Sequence, residues 1–367
     1  MRIVPIIKTV GVACNLKCRY CWFNPLDQSK VERMPPALLE KLVRDYAEAD
    51  DCGSYQFIWH GGEPLMAGID FFRTALAFQG RYMGGAKVKN VIQTNGTMLT
   101  PKWVKFFLDA GFKVGVSLDG PREFHDAFRV TPRGAGSHDR IMKNLVSARE
   151  LGLKFSVIAT VNKANVGAPD DLFDFFVANG INSFGFNMVF ETDSDGIPMP
   201  FSISTEDYAE FQCRIFDRWL ERDDPKLRIR HIDSIVGGML GVPVRSCIYA
   251  GTCQRFLNIN SDGDVYPCER LTKAERLGNL HESSLGEIVR AKPYHAHCAM
   301  TNDLPSDCKS CRFLNVCRNG CTHHRIDGKL YFCEGRKRVF CHIESALSRI
   351  VRTRKASSLT PISVALA

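Results

Sequence analysis

VACNLKCRYCW, residues 12–22, places Cys14, Cys18 and Cys21 in the spacing C-x-x-x-C-x-x-C. Thiolates are the usual ligands of iron–sulfur clusters, and their number and spacing tell cluster types apart. Three thiolates leave the fourth iron of a four-iron cluster without a protein ligand. That iron is where a substrate or cofactor binds, so the spacing implies chemistry and not only electron storage. Structural zinc, the plainer alternative, prefers four ligands in paired C-x-x-C units.

Working outward, the loop follows a β-branched run, Ile3–Val12, and short runs of this kind recur up to Met188. The expected strands are Ile3–Val12, Gln56–Trp59, Lys87–Gln93, Lys113–Ser117, Lys154–Val161 and Ser183–Met188. Helical stretches lie between them at Pro36–Ala49, Phe71–Gln79, Lys102–Ala110, Ser137–Leu151 and Asp170–Ala178. Such alternation indicates βαβ units and a parallel sheet. The expected fold is therefore α/β, a partial (βα)6 barrel over residues 1–200. Ligands sit at the carboxyl ends of such strands, the edge on which the cysteine loop falls. Residues 201–246 read as a bridge around one helix, Glu206–Glu221. Residues 247–345 are cysteine-rich and loop-rich, like a small domain stapled by metal, and the tail 346–367 carries no strong signal.

The chain has 367 residues, 45% hydrophobic and 24% charged, as in ordinary globular proteins. No run of about 18 apolar residues suggests a membrane span, and MRIVPIIKTV is too short and too quickly polar for a secretory signal. Fifteen cysteines without an export signal argue for metal ligation in the cytoplasm. The formal charge of +8 falls to about +3 once metal-bound thiolates are counted. Neither nucleic acid nor membrane is expected as a partner, and Arg336–Arg338 reads as a solvated basic face.

Four strand ends carry polar motifs. Trp59-His60-Gly61-Gly62-Glu63-Pro64 joins two glycines, which allow close backbone approach, to a carboxylate. Gln93-Thr94-Asn95-Gly96 and Ser117-Leu118-Asp119-Gly120-Pro121 follow the third and fourth strands, with His125, Asp126 and Arg129 close behind. Gly136-Ser137-His138-Asp139-Arg140 opens a helix whose free N–H groups favour an anion. For each motif alone, a turn, a helix cap or a surface ion pair is the competing account. Towards the C-terminus, Cys253-x9-Gly263-x4-Cys268 precedes Cys308-x-x-Cys311-x5-Cys317-x3-Cys321.

The cysteine loop, with Tyr20 in its aromatic slot, and the Gly-Gly-Glu turn together resemble the radical S-adenosylmethionine (radical SAM) enzymes. The C-terminal cysteines resemble the SPASM extension of the peptide-modifying members, which holds two auxiliary four-iron clusters. The resemblance covers about residues 3 to 345. It implies that Cys14, Cys18 and Cys21 hold the cluster that binds S-adenosylmethionine, and that Tyr20, Gly61, Gly62, Glu63, Asn95, Ser117, Asp119, Arg129 and Arg140 contact the cofactor. Of the sixth-strand candidates Asn187 and Met188, buried core is the expectation. The nearest layouts are those of anaerobic sulfatase-maturating enzymes and peptide cyclophane synthases. They imply ligation of one auxiliary cluster by Cys247, Cys253, Cys268 and Cys321, and of the other by Cys308, Cys311, Cys317 and Cys333, with Cys341 as the alternative last ligand. Cys52, Cys213 and Cys298 match no slot and read as small buried hydrophobes.

By the same resemblance, cleavage of S-adenosylmethionine yields a 5′-deoxyadenosyl radical that takes a hydrogen atom from a peptide carbon. Glu269, after Cys268, falls where the sulfatase-maturating enzymes use an aspartate as base, and its extra methylene alters the reach. His60 stands where those enzymes have glutamine. Together with the Ser117–Pro121 stretch, it favours the enzymes that cross-link ribosomally made precursor peptides through a C–C or C–heteroatom bond. Formylglycine formation on a sulfatase Ser or Cys is the alternative, and a non-catalytic electron carrier is the alternative of another class. Expected partners are a peptide or protein substrate and a reductant such as flavodoxin or ferredoxin. No leader-peptide domain is expected before the first strand.

Overall fold

A computed structural model describes residues 3–24, 26–49, 53–244, 246–271 and 276–357. Cys52 and the end of the tail lie outside these residues. The chain packs as two compact units, one of Met1–Leu118, Arg122–Ser156 and Thr252–Asp303, the other of Asp119–Pro121, Val157–Gly251 and Leu304–Ala367.

The first unit contains strands β1 (Val4–Ile7), β2 (Thr9–Val12), β3 (Ser54–Trp59), β4 (Lys87–Thr94) and β5 (Lys113–Ser117), with helices α1 (Pro36–Ala49), α2 (Ile69–Tyr82), α3 (Pro101–Ala110), α4 (Arg122–Phe128) and α5 (His138–Glu150). Parallel pairing runs β1–β3–β4–β5. The first expected strand is thus divided at Lys8, and α4 is an addition to the expected set. Each helix follows from local sequence. α1 buries Leu38, Leu39, Leu42, Val43 and Tyr46 along one stripe. α3 has Pro101 in its first turn and ends at Gly111 in the left-handed conformation, φ 67°. Edge-to-face aromatic contacts fill the space between sheet and helices, with the Phe72 ring 5.5 Å from Trp59 and 5.7 Å from Trp103.

The cysteine-rich stretch is not one body. Strand Phe256–Ile259 pairs in parallel with β1, and Asp264–Tyr266 and Gly278–Asn279 extend that edge antiparallel. Packing divides the stretch, with 252–303 in the first unit and 304–367 in the second.

In the second unit β6 (Phe155–Val161), from Val157 on, β7 (Ser183–Met188) and β8 (Arg228–Ile229) pair in parallel. Helix α6 (Pro169–Ala178) follows β6, and α7 (Thr205–Arg222) begins with a capping box of Ser204 and Asp207. Helix α8 is Arg230–Met239. A long helix, Cys333–Ser357, takes in the described part of the signal-free tail. Its stripe of Val339, Phe340, Ile343 and Ala346 is buried at helical spacing. The same periodicity turns Arg336 inward, so the expected solvated face at 336–338 is corrected at that position, where the residue is 4% exposed. Among the described residues no helix is long and apolar enough to cross a membrane.

Candidate active site

In the first unit the cysteine loop is held mainly by its backbone. Lys17 N–H donates to Val130 O at 2.7 Å and Arg19 N–H to Phe128 O at 2.9 Å, which ties the loop to the segment after α4. Cys14 N–H donates to Gln28 O at 3.0 Å. Around the thiols stand donors and a cation. Cys14 Sγ accepts from Leu16 N–H at 3.4 Å and from Asn95 Nδ2 at 3.7 Å. Arg129, 8% exposed, lies with its guanidinium 5.4 Å from the Tyr20 ring and Nη1 4.0 Å from Cys18 Sγ. Burial pushes the Cys14 thiol up to about 12, with the Glu63 charge adding and the Leu16 N–H opposing. Cys21 is raised chiefly by burial too.

The Gly-Gly-Glu turn is locked onto this loop. Glu63 N–H donates to Ala13 O at 2.8 Å, and a Cβ on Gly62 would sit 2.2 Å from that same oxygen. Gly62 also has φ +58°, so glycine is required here on two counts. The Glu63 carboxylate is fully buried and accepts from Leu65 N–H at 3.0 Å, Thr94 Oγ1 at 2.7 Å and Asn95 N–H at 2.7 Å. Burial pushes its carboxyl up, and these donors oppose the rise. Glu63 therefore binds the end of β3 to the end of β4. Asn95 Nδ2 passes the restraint to Asn15 Oδ1 at 2.8 Å.

The other expected contacts divide. The Ser117 hydroxyl, at the end of β5, accepts from Gln93 Nε2 at 3.0 Å. Tyr20 is buried and stacks on Phe128, with ring centroids 5.5 Å apart. Asp119 is fully buried and accepts from Thr160 N–H at 2.8 Å, which anchors β6. Arg140 is exposed on α5 and is not gathered with the others. Asn187 accepts from Arg230 Nη2 at 2.7 Å, while Met188 is buried.

The largest gain over sequence reading is a pairing of two residues noted there separately. His60 Nδ1 lies 2.6 Å from Glu269 Oε2. Burial pushes the Glu269 carboxyl up, but His60, Arg270 and Lys8 outweigh it and leave the group below its ordinary value. Burial pulls His60 down, and the Glu269 charge outweighs that and raises it. Lys8, missed from sequence because it sits inside an apolar run, is 1% exposed with Nζ 4.2 Å from the Phe23 ring centroid. Burial lowers its pKa to about 8 against the opposing charges of Glu269, Asp262, Cys268 and Cys21.

Of the first auxiliary set, Cys253 and Cys268 belong to the first unit, and Cys247 and Cys321 to the second. Within the second unit, Cys308, Cys311, Cys317 and Cys333 line one small cavity. Cys341 is exposed and accepts from Arg312 Nη2 at 3.3 Å. Among the described residues, no three His, Cys, Asp or Glu side chains are gathered as a site for one metal ion. Cys213 and Cys298 are only partly buried, less so than small core hydrophobes.

Comparison with known proteins accounts for this arrangement. Residues 9–176 match the radical SAM superfamily, and residues 247–312 match the SPASM iron–sulfur cluster-binding domain. The chain is 32% identical to a serine-type anaerobic sulfatase-maturating enzyme of Bacteroides thetaiotaomicron, over 92% of this chain and 88% of that one. It is 30% identical to a cysteine-type enzyme of Clostridium novyi, over 95% and 97%. The structure of anSMEcpe with bound AdoMet and Cp18Cys peptide superposes with a TM-score of 0.85 at 26% identity, covering 96% of this chain and 99% of that one. These similarities favour the sulfatase-maturating layout and leave the cyclophane reading without support of its own. The chain belongs to the radical SAM superfamily, as a SPASM-containing peptide maturase of the anaerobic sulfatase-maturating enzyme family.

Proposed function

We propose that this enzyme oxidises the β-carbon of a Ser or Cys side chain in a sulfatase-type peptide to an aldehyde, with Glu269 as the base. The observation that carries this reading is the 2.6 Å contact between His60 and Glu269. It lies beside the Gly61–Glu63 turn, in a chain similar to maturases over almost its full length.

The residues fit the cofactors. Cys14 and Cys21 are half-buried thiols with raised pKa values, which metal binding would ionise. Arg129 and the Leu16 and Asn95 donors stand beside those sulfurs. Cys14, Cys18 and Cys21 would hold the open cluster, with Gly61, Gly62 and Ser117 offering backbone and hydroxyl contacts to S-adenosylmethionine. Asn95, Glu63 and Tyr20 would keep that edge in shape. Two auxiliary four-iron clusters would use Cys247, Cys253, Cys268 and Cys321, and Cys308, Cys311, Cys317 and Cys333. When bound, these groups supply a radical that removes a hydrogen atom from the substrate carbon and a route for the second electron.

The protein's own part is positioning and proton transfer. Glu269 is kept as a carboxylate by His60, Arg270 and Lys8, ready to take the side-chain proton. The contact with His60 holds the longer glutamate in one direction. A low-potential donor of the flavodoxin or ferredoxin type would reduce the enzyme.

The test is anaerobic turnover of a sulfatase-type peptide carrying Cys or Ser, with aldehyde trapped by a hydrazide. The expected result is a trapped product that disappears in Glu269→Gln. A product that loses two hydrogens, blocks an aromatic residue and traps no hydrazide would instead support precursor cross-linking.

A further inference from the structure

We propose that Arg336 is the built-in counter-charge of the second auxiliary site and sets the reduction potential of the group held there. This rests on the reading of Cys308, Cys311, Cys317 and Cys333 as one ligand set. Arg336 lies in the first turn of the helix that begins at Cys333, and it lines the same cavity as the four cysteines. The residue is 4% exposed. Nη1 donates to Ile248 O at 2.8 Å and reaches Cys317 Sγ at 3.8 Å, and Cζ lies 4.5 Å from the Tyr249 ring centroid. Nε is buried with no hydrogen-bond partner.

A guanidinium does not deprotonate in proteins, so burial leaves its charge in place. Its neighbours have acidic partners, since Lys337 pairs with Glu334 and Arg338 with Glu206. Among the described residues Arg336 has no ion-pair carboxylate, and its hydrogen bonds go to a carbonyl and a sulfur. A buried ion without an opposing charge is strongly disfavoured. Four thiolates outweigh the positive charge of an iron–sulfide core, so the cluster itself completes the pair. The orphaned Nε is one further donor on a side chain that lines that cavity.

Adding an electron makes such a cluster more negative, and a fixed cation beside it favours the reduced state. Removing the cation must therefore lower the midpoint potential. The experiment compares Arg336→Gln and Arg336→Lys in anaerobically reconstituted full-length enzyme, by iron and sulfide content and by redox titration followed by EPR. The signal that vanishes in Cys333→Ala identifies the second auxiliary site. In Arg336→Gln that site is expected to be reduced tenfold less readily, about 59 mV lower for one electron, or to lose its iron. Arg336→Lys is expected to keep both iron and potential. The inference is overturned if Arg336→Gln titrates like wild type, or if the two variants behave alike. If Cys333→Ala and wild type hold equal iron, the ligand reading itself has failed, whatever Arg336 does.

Discussion

The cysteine loop of residues 14–21 and the cysteine cavity of residues 308–333 hold the same kind of ligand in opposite surroundings. The loop offers three thiols, and its neighbours are a doubly constrained glycine turn, a buried glutamate that ties two strand ends together, and polar groups at further strand ends. The cavity offers four thiols, and its remaining walls mix Phe313, Leu314, Leu330 and Phe340 with Asp307, Asn319, Lys337 and the buried Arg336. On the proposed ligand sets, three thiolates would leave a position for a reacting molecule, whereas four would leave none. Under the proposed function, ligand count is what would separate the reacting site from the electron-storing one.

The sharpest way to break this contrast is to remove one thiol from each. Cys14→Ala is expected to bring 5′-deoxyadenosine formation to background, while Cys333→Ala retains it and loses iron at the second site only. Equal loss in both, measured by chromatography of the reduced enzyme with S-adenosylmethionine, would erase the distinction.

Glu269→Gln should lower peptide turnover by about 10²- to 10⁴-fold, the usual worth of a positioned base, with cleavage of S-adenosylmethionine retained. Turnover within a few-fold of wild type would remove Glu269 from the chemistry. Gly62→Ala should then destabilise the protein by about 2 kcal/mol, read as a denaturant midpoint, because its Cβ would lie 2.2 Å from Ala13 O at a positive φ. Gly85→Ala, with φ +82° but nothing within 4 Å, should cost less.

A smaller effect concerns pH. The Glu269 carboxyl is held below its ordinary 4.5, so the stability it gains from His60 is present above that pH and fades as acid protonates it. His60 is held above its ordinary 6.5, so its share is whole below that pH and fades as alkali deprotonates it. With Lys8 and Arg270 facing the same pair, the difference in stability between wild type and His60→Gln should be greatest between about pH 4.5 and 6.5. A difference that grows above pH 8 would contradict the sign. Smallest of all, Cys341→Ala should leave iron content unchanged, since that thiol is exposed and bonded to Arg312.

Periodicity carried most of the barrel in sequence. The expected strand Ser183–Met188 is reproduced residue for residue, and so is Lys113–Ser117, which ends at the Gly- and Pro-containing turn Leu118–Pro121. What periodicity could not show is pairing across long separations. His60 and Glu269 each stood out as an unusual residue in a known motif, but only the parallel pairing of Phe256–Ile259 with β1 explains how a cysteine-rich segment reaches that edge. Lys8 was hidden inside an apolar run, where its charge gave no hint of burial. Arg336 was hidden in a basic tract whose helical phase depended on Val339 and Phe340 packing inward. Arg140 fits its motif in sequence, yet it is exposed, since a motif specifies neighbours along the chain and not which side of a helix is covered.

The most direct test is EPR of the reduced, anaerobically prepared enzyme before and after S-adenosylmethionine is added, in wild type and in Cys14→Ala. The account predicts an iron–sulfur signal that changes on addition in wild type only. A metal content of zinc without sulfide, or an iron–sulfur signal indifferent to the cofactor, would contradict it.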